Sequence, residues 1–136
     1  IDDALSVTGL GSGQVTLGIH IAAPGLAIAP GSDLDKLGRQ RLSTVYMPGY
    51  KITMLPDEVV QAYTLDAGRA NPAVSLYVTY DEASLDVLEK TTRLERVPVA
   101  HNFRHDQLDH IVTEEHLAQD ISQVQVENIP QSLKDV

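Results

Sequence analysis

Two carboxylates stand side by side near the start of the sequence, at Asp2 and Asp3. Carboxylate oxygens are ligands that Mg²⁺ prefers, and a bound Mg²⁺ commonly combines one or two of them with waters and substrate phosphates. Adjacent side chains in a regular strand point to opposite faces, so the pair needs a bend, or further acids from elsewhere, to hold one ion. The residue types leave open either a metal site or a solvated acidic pair.

A second group of ligand-type side chains lies at His105, Asp106, Asp109 and His110. On a helix, the i,i+4 spacing puts His105 with Asp109, and Asp106 with His110, on a common face, and such pairs can chelate zinc. The pattern is not H-E-x-x-H, and acid–histidine pairs at this spacing also occur on solvated helix faces with weak local pairing. A zinc-dependent hydrolase using His105, Asp109 and His110 therefore competes with an ordinary polar helix surface.

Tyr46 precedes a turn formed by Pro48 and Gly49 and does not belong to an alternating strand pattern. Tyrosines most often pack in cores, but aromatic rings in loops can also stack on nucleic-acid bases. The position of Tyr46 alone is compatible with packing in the core and with stacking on a base.

Length, charge and cysteine content limit the class of protein. With 136 residues, the chain is one domain or a piece of a larger one. Its 19 acids against 10 Lys plus Arg give a net charge of −9. This is the opposite of the basic surface of a free-standing nucleic-acid binder, so DNA is not an expected ligand. The lack of cysteine excludes disulfides and thiolate sites. No apolar run is long enough for a membrane span, and we expect a cytoplasmic protein.

The elements that must position these residues follow from apolar periodicity, which predicts an α+β fold with a largely antiparallel sheet and several helices. Alternation over residues 15–21 predicts a half-buried hairpin whose glycine-rich loop is a connection rather than a phosphate cradle. The predicted elements are strands over 4–10, 14–22, 74–80 and 85–99, extended pieces on either side of Pro48–Gly49, helices over 33–42, 57–63 and 102–119, and an irregular tail over 128–136.

Five short segments, read in order, resemble the ribonuclease II and ribonuclease R family of exoribonucleases. They are I-D-D-A-L at 1–5, G-I-H-I-A at 18–22, P-G-S-x-L-D at 30–35, S-T-V-Y-M-P-G at 43–49 and M-L-P at 54–56. Their order and spacing match the N-terminal part of the family's catalytic domain, and a looser likeness continues through residues 104–108. The resemblance assigns residues 1–127 to the N-terminal portion of an RNB-like catalytic domain.

The resemblance implies hydrolysis of single-stranded RNA from its 3′ end to nucleoside 5′-monophosphates with Mg²⁺. The last two acids of the family's D-x-D-D motif match Asp2 and Asp3, which would then be catalytic metal ligands. Tyr46 matches an aromatic residue that packs against RNA. His105 stands where a Y-D-Q-like segment usually has its tyrosine, so the resemblance favours RNA stacking over zinc chelation for His105.

Two departures from the family pattern matter. Ala23 stands where the H-I-A-D motif has its aspartate. The upstream acids, the downstream active-site residues and the OB-fold RNA-binding domains are expected outside these 136 residues. We therefore expect the chain alone to be inactive. A catalytically dead RNA- or protein-binding module of the same fold is the alternative.

The strand face of Val74, Leu76 and Val78 is expected to need a cover. Other segments of the protein could supply it, or the chain could self-associate through this face.

Overall fold

A computed structural model describes residues 1–109 and 112–118 of the chain. Its strands in chain order are β1 (Asp3–Thr8), β2 (Gln14–Ala22), β3 (Val45–Met47), β4 (Tyr50–Ile52), β5 (Ala70–Asp81) and β6 (Val87–Pro98). Four of them form one antiparallel sheet in the order β1-β2-β5-β6, and β3 pairs with β4 in a separate hairpin. The prediction of an α+β fold with a largely antiparallel sheet is confirmed.

The glycine-rich loop between β1 and β2 is closed by the side chain of the residue that follows β5. The Glu82 carboxylate accepts hydrogen bonds from the backbone N–H groups of Gly11 and Gly13, at 2.8 and 3.1 Å. Both glycines have positive φ, which suits them to this turn. The loop amides are therefore used inside the fold, as expected for a connection between strands.

The long connection from β2 to β5 carries a short 3-10 helix (Pro24–Ala27), helix α1 (Asp33–Arg41), the β3–β4 hairpin and helix α2 (Asp57–Tyr63). Ser32 begins α1 as its N-cap, because its side chain accepts a hydrogen bond from the Asp35 N–H. Arg41, at the other end of α1, donates to the Thr53 carbonyl at 2.8 Å and so holds the base of the hairpin. Both helices agree with the predicted ranges to within one residue.

The predicted single helix over 102–119 is wrong. The structure has two short helices, α3 (His105–Leu108) and α4 (Glu114–Leu117), and Val112 and Thr113 between them are not helical. A threonine followed by two acids in the first turn is a helix-start signal, which competes with continuation of the preceding helix. The predicted tail over 128–136 lies outside the described residues.

The two faces of the sheet are covered unequally, and the apolar face that was expected to need a cover is partly exposed. His20 and Ser75, on the polar face, are buried, whereas Ile21, Val74 and Leu76, on the apolar face, are exposed. The apolar core sits at one end of the sheet and consists of Leu65, Ala73, Val97 and Val99. None of the described helices is long and apolar enough to span a bilayer.

Candidate functional site

The acidic pair lies where β1 begins and is held by backbone hydrogen bonds on two sides. Asp3 pairs with Ile21 of β2, and the Asp2 carbonyl accepts from the Ala22 N–H at 2.8 Å. The Ile1 carbonyl accepts from the Leu65 N–H at 2.9 Å. The position of the pair is therefore fixed by the sheet and by the segment that follows α2.

The core lies directly beneath this segment. Leu65 is fully buried, and Ala4 and Ala22, the neighbours of the acidic pair in sequence and across the strands, pack against the core cluster. Close packing limits local motion, so a carboxylate mounted on this edge keeps its position better than one on a surface loop.

The Asp2 and Asp3 side chains are exposed, and neither has a hydrogen bond or an ion pair with any described residue. Two uncommitted carboxylates are what Mg²⁺ typically takes from a protein, with waters and substrate phosphates completing its six ligands. Within residues 1–109 and 112–118, no three His, Cys, Asp or Glu groups come close enough to hold an ion. Asp2 and Asp3 therefore fit Mg²⁺ as part of a ligand set.

Tyr46 lies on β3 and is 76% exposed. It faces Lys51 across the hairpin, while Met47 faces Tyr50. A ring this exposed contributes little to a core and is available to a ligand, which suits the RNA-contact interpretation better than the packing interpretation.

His105 is the first residue of α3. The Asn102 side chain fixes the segment that leads to this helix, because it donates to the Leu65 carbonyl at 2.8 Å and accepts from the Ala67 N–H at 2.6 Å. Leu65 also bonds to Ile1, so the chain before His105 and the acidic segment share one anchor. His110, which the zinc interpretation requires, lies outside the described residues.

Sequence reasoning missed a chain of polar side chains that runs across the sheet. His20 Nε2 lies 2.9 Å from Ser6 Oγ on β1, and His20 Nδ1 lies 2.8 Å from Ser75 Oγ on β5. The Tyr77 hydroxyl donates to Glu95 on β6 at 2.6 Å. The available signal was the polar alternation of the strands, which shows that these residues share a face but not that the face is buried.

The electrostatics of this polar chain follow from its burial and hydrogen bonds. Burial lowers the pKa of His20, and the negative charge of Glu95 acts in the opposite direction. The hydrogen bond between Tyr77 and Glu95 raises the pKa of the phenol and lowers the pKa of the carboxyl, because the phenol donates to the ionised carboxylate. The imidazole is thus kept neutral next to a carboxylate that stays ionised.

An open cavity of about 400 Å³ lies beside the end of α2 and includes Arg69 and Arg96 in its wall. Arg69 donates to the Gln61 and Ala62 carbonyls at 3.4 and 3.3 Å, and Arg96 donates to the Ala70 carbonyl at 2.7 Å. Both guanidinium groups are bound to backbone carbonyls: Arg69 connects α2 to the start of β5, and Arg96 connects β6 to β5.

The fold agrees with the family comparison. The RNB domain matches residues 1–135. The chain belongs to the RNB domain family. Exoribonuclease 2 of Photorhabdus laumondii subsp. laumondii is 34% identical over 117 residues, covering 67% of this chain and 18% of that protein. Ribonuclease II, chloroplastic/mitochondrial, of Arabidopsis thaliana is 35% identical over 79 residues, covering 57% of this chain and 10% of that protein. The chain thus spans less than a fifth of the length of either relative.

Solved structures show the same fold. RNase R of Mycoplasma genitalium in complex with double-stranded RNA superposes with a TM-score of 0.77 at 19% identity, covering 98% of this chain and 22% of that one. Yeast Ssd1, described as a pseudonuclease, superposes with a TM-score of 0.75 at 26% identity, covering 86% of this chain and 14% of that one. The fold therefore occurs both in RNA-bound ribonucleases and in a protein described as a pseudonuclease.

Proposed function

We propose that this chain forms the acid-bearing part of the catalytic domain of a 3′-to-5′ exoribonuclease, which hydrolyses single-stranded RNA to nucleoside 5′-monophosphates with Mg²⁺. The observation that carries the proposal is the exposed, uncommitted Asp2–Asp3 pair on a strand edge anchored to the core. Membership of the RNB domain family and relatives named as exoribonucleases support it.

In this proposal, the chain's own residues bind and orient. The Asp2 and Asp3 carboxylates hold Mg²⁺ at the edge of the sheet, and their backbone bonds to Ala22 and β2 keep that position fixed. Mg²⁺, when bound, supplies charge that positions and activates the attacking water and neutralises the leaving oxygen. The exposed Tyr46 ring stacks on a base, and the segment that starts at His105 contacts the RNA near the acidic edge.

The test uses the longest expressible polypeptide that contains this chain, here called the parent polypeptide. It is incubated with 5′-labelled single-stranded RNA and Mg²⁺ beside its Asp2→Asn and Asp3→Asn variants. We expect a ladder that shortens from the 3′ end, and a loss of at least about a hundredfold in rate in either variant, since a neutral amide is a poor ligand for Mg²⁺.

Asp33→Asn is the matched control, because Asp33 is also an exposed aspartate but lies on α1 and pairs only with Lys36 among the described residues. Its rate should equal that of the unaltered polypeptide. The 136-residue chain alone should not shorten RNA. An intact ladder in the Asp3→Asn parent polypeptide would exclude the assigned role of Asp3.

A binding module without catalysis is the second candidate. Two observations favour it: the likeness to the yeast pseudonuclease Ssd1, and Ala23 at the position of the motif's aspartate. Ala23 is buried directly after β2, at the start of the 3-10 helix, and has no side-chain oxygen to offer. RNA that the parent polypeptide binds but never shortens, with Asp2→Asn and Asp3→Asn binding equally well, would establish this candidate instead.

A further inference from the structure

The β3–β4 hairpin has two different faces. The register pairs Tyr46 with Lys51, so the ring and the ammonium project from the same face of the hairpin. The other face carries only apolar and aromatic side chains, all exposed: Val45, Met47, Tyr50 and Ile52. One face is therefore built from an aromatic ring beside a cation, and the other is not.

Lys51, the cation on this face, has no interaction partner among the described residues. Most lysines and arginines of the described residues already have an internal partner. The partners are carboxylates for Lys36, Arg39, Arg69 and Arg104, backbone carbonyls for Arg41 and Arg96, and the Tyr77 ring for Arg93. Within the described part of the chain, Lys51 and Lys90 alone have neither a hydrogen bond, an ion pair nor a ring contact. Of these two lysines, Lys51 is the one paired across neighbouring strands with an exposed tyrosine ring.

The ring beside Lys51 is uncovered as well. Tyr46 is 76% exposed, and no cation from the described residues lies over its ring. The hairpin base is fixed by the bond from Arg41 to the Thr53 carbonyl and by the bond from the Met54 N–H to Thr44 Oγ1, at 2.8 and 3.3 Å. The ring and the ammonium are thus presented together on a held support.

We propose that the Tyr46–Lys51 face binds single-stranded RNA at two points, with a base stacked on the Tyr46 ring and an adjacent backbone phosphate paired with the Lys51 ammonium. Proteins that hold single strands combine these two elements, an aromatic stacking platform and a cation that follows the backbone. The inference rests on the proposed function and adds Lys51 to it as an RNA-contacting residue. An acidic protein surface could pair with Lys51 but would gain little from the flat ring beside it.

The experiment measures binding of fluorescein-labelled oligouridine to the parent polypeptide without Mg²⁺, as a function of KCl concentration. Each phosphate contact contributes about 0.7 to the slope of log affinity against log salt for single strands. We expect Lys51→Gln to reduce the magnitude of this slope by about that amount. Lys90→Gln is the matched control, because it removes the other unpaired lysine, which lies on β6 with no exposed ring opposite it, and should leave the slope unchanged.

The stacking half of the proposal has its own pair of variants. Tyr46→Leu should weaken binding about tenfold at every salt concentration, because stacking does not release counterions. Tyr50→Leu, on the opposite face of the same hairpin, should bind like the unaltered polypeptide. All four side chains are exposed, so thermal melts of the variants should superpose.

Equal salt slopes for Lys51→Gln and Lys90→Gln would overturn the proposal, as would equal affinities for Tyr46→Leu and Tyr50→Leu. This failure is distinct from failure of the proposed function, which is read from Asp3-dependent shortening of RNA. A parent polypeptide that binds RNA through Lys51 and never shortens it would support the hairpin contact and refute the exoribonuclease.

Discussion

At the scale of single residues, His20 has the most informative environment in the molecule. It is 2% exposed, and its two ring nitrogens contact serines on the strands to either side. A neutral imidazole has one donor and one acceptor, and a hydroxyl can take either role, so both contacts are satisfied in either tautomer. His20 therefore links β1, which carries the acidic pair, to β5.

The lowered pKa of His20 makes stability depend on pH. Below pH ~6.5 the unfolded chain takes up a proton that the folded chain resists, so the free energy of unfolding falls as pH decreases through that value. We expect the stability advantage of the unaltered protein over His20→Gln to be full above pH ~7 and to narrow towards pH ~5. Thermal melts of both proteins across this range test the prediction.

Thr16→Val is the control for this pH dependence. It removes the nearby bond between the Thr16 and Thr79 hydroxyls, 2.8 Å apart, without changing any titrating group. Its melting temperature should lie below that of the unaltered protein by the same amount at every pH. A His20→Gln curve equally parallel to the unaltered one would contradict the burial-induced shift.

The absence of a side chain at Gly18 leaves space for the hydrogen bond between Ser6 and His20. A methyl group added at Gly18 would clash with Ser6 Oγ and lie 2.9 Å from His20 Nε2. Since both atoms belong to one hydrogen bond, Gly18→Ala should destabilise the protein by about 1–3 kcal/mol. In Gly25→Ala the added methyl group has nothing within 4 Å. The free energy of unfolding of this variant should match that of the unaltered protein to within about 0.5 kcal/mol. Denaturant titration of the two variants provides the comparison.

At the scale of elements, α1 depends on a reciprocal cap. Ser32 accepts from the Asp35 N–H at 3.2 Å, and the Asp35 carboxylate accepts from the Gly31 N–H at 2.8 Å. Ser32→Ala leaves one of these N–H groups without its partner and should cost about 1 kcal/mol. Ser43→Ala, at an exposed serine outside any helix, should have no measurable effect on a denaturant midpoint. Equal midpoints for the two variants would show that the cap contributes nothing.

The elements were largely predictable from sequence, because each has a local cause. Ser32 and Pro56 precede the helix starts, and Pro48–Gly49 makes the hairpin turn. Asp2, Asp3 and Tyr46 were singled out by residue type and position and then assigned roles through family motifs; the structure shows that they are exposed, and their roles remain predictions. The buried face was not predictable, because alternation groups His20 with Ser75 but does not show what packs on them. The break before α4 depends on a competition between two adjacent helix signals, which periodicity alone does not resolve.

At the scale of the whole molecule, one face of the sheet is covered by the described residues and much of the other is not. The uncovered face crosses all four strands, with Asp3, Ile21, Val74 and Leu94 in one row and Leu5, Ile19, Leu76 and Thr92 in the next. A contiguous exposed apolar surface of this kind is a site of association, and among the described strands β1 and β6 each have one unpaired edge. The acidic pair therefore borders a surface that water solvates poorly.

This surface predicts the behaviour of the 136-residue chain on its own. We expect it to self-associate as its concentration rises, and we expect Leu5→Lys and Leu94→Lys to keep it monomeric, because both side chains are about two-thirds exposed on this face. Leu26→Lys alters a similarly exposed leucine in the 3-10 helix and should not prevent association. Sedimentation velocity at several concentrations separates these outcomes, and a chain that stays monomeric throughout would contradict the prediction.

The same face gives a prediction for the parent polypeptide. If other segments of the parent polypeptide cover the face, Leu94→Lys places a charge in a buried position there, whereas in the isolated chain the lysine stays in water. Leu94→Lys should then lower the melting temperature of the parent polypeptide but not that of the isolated chain.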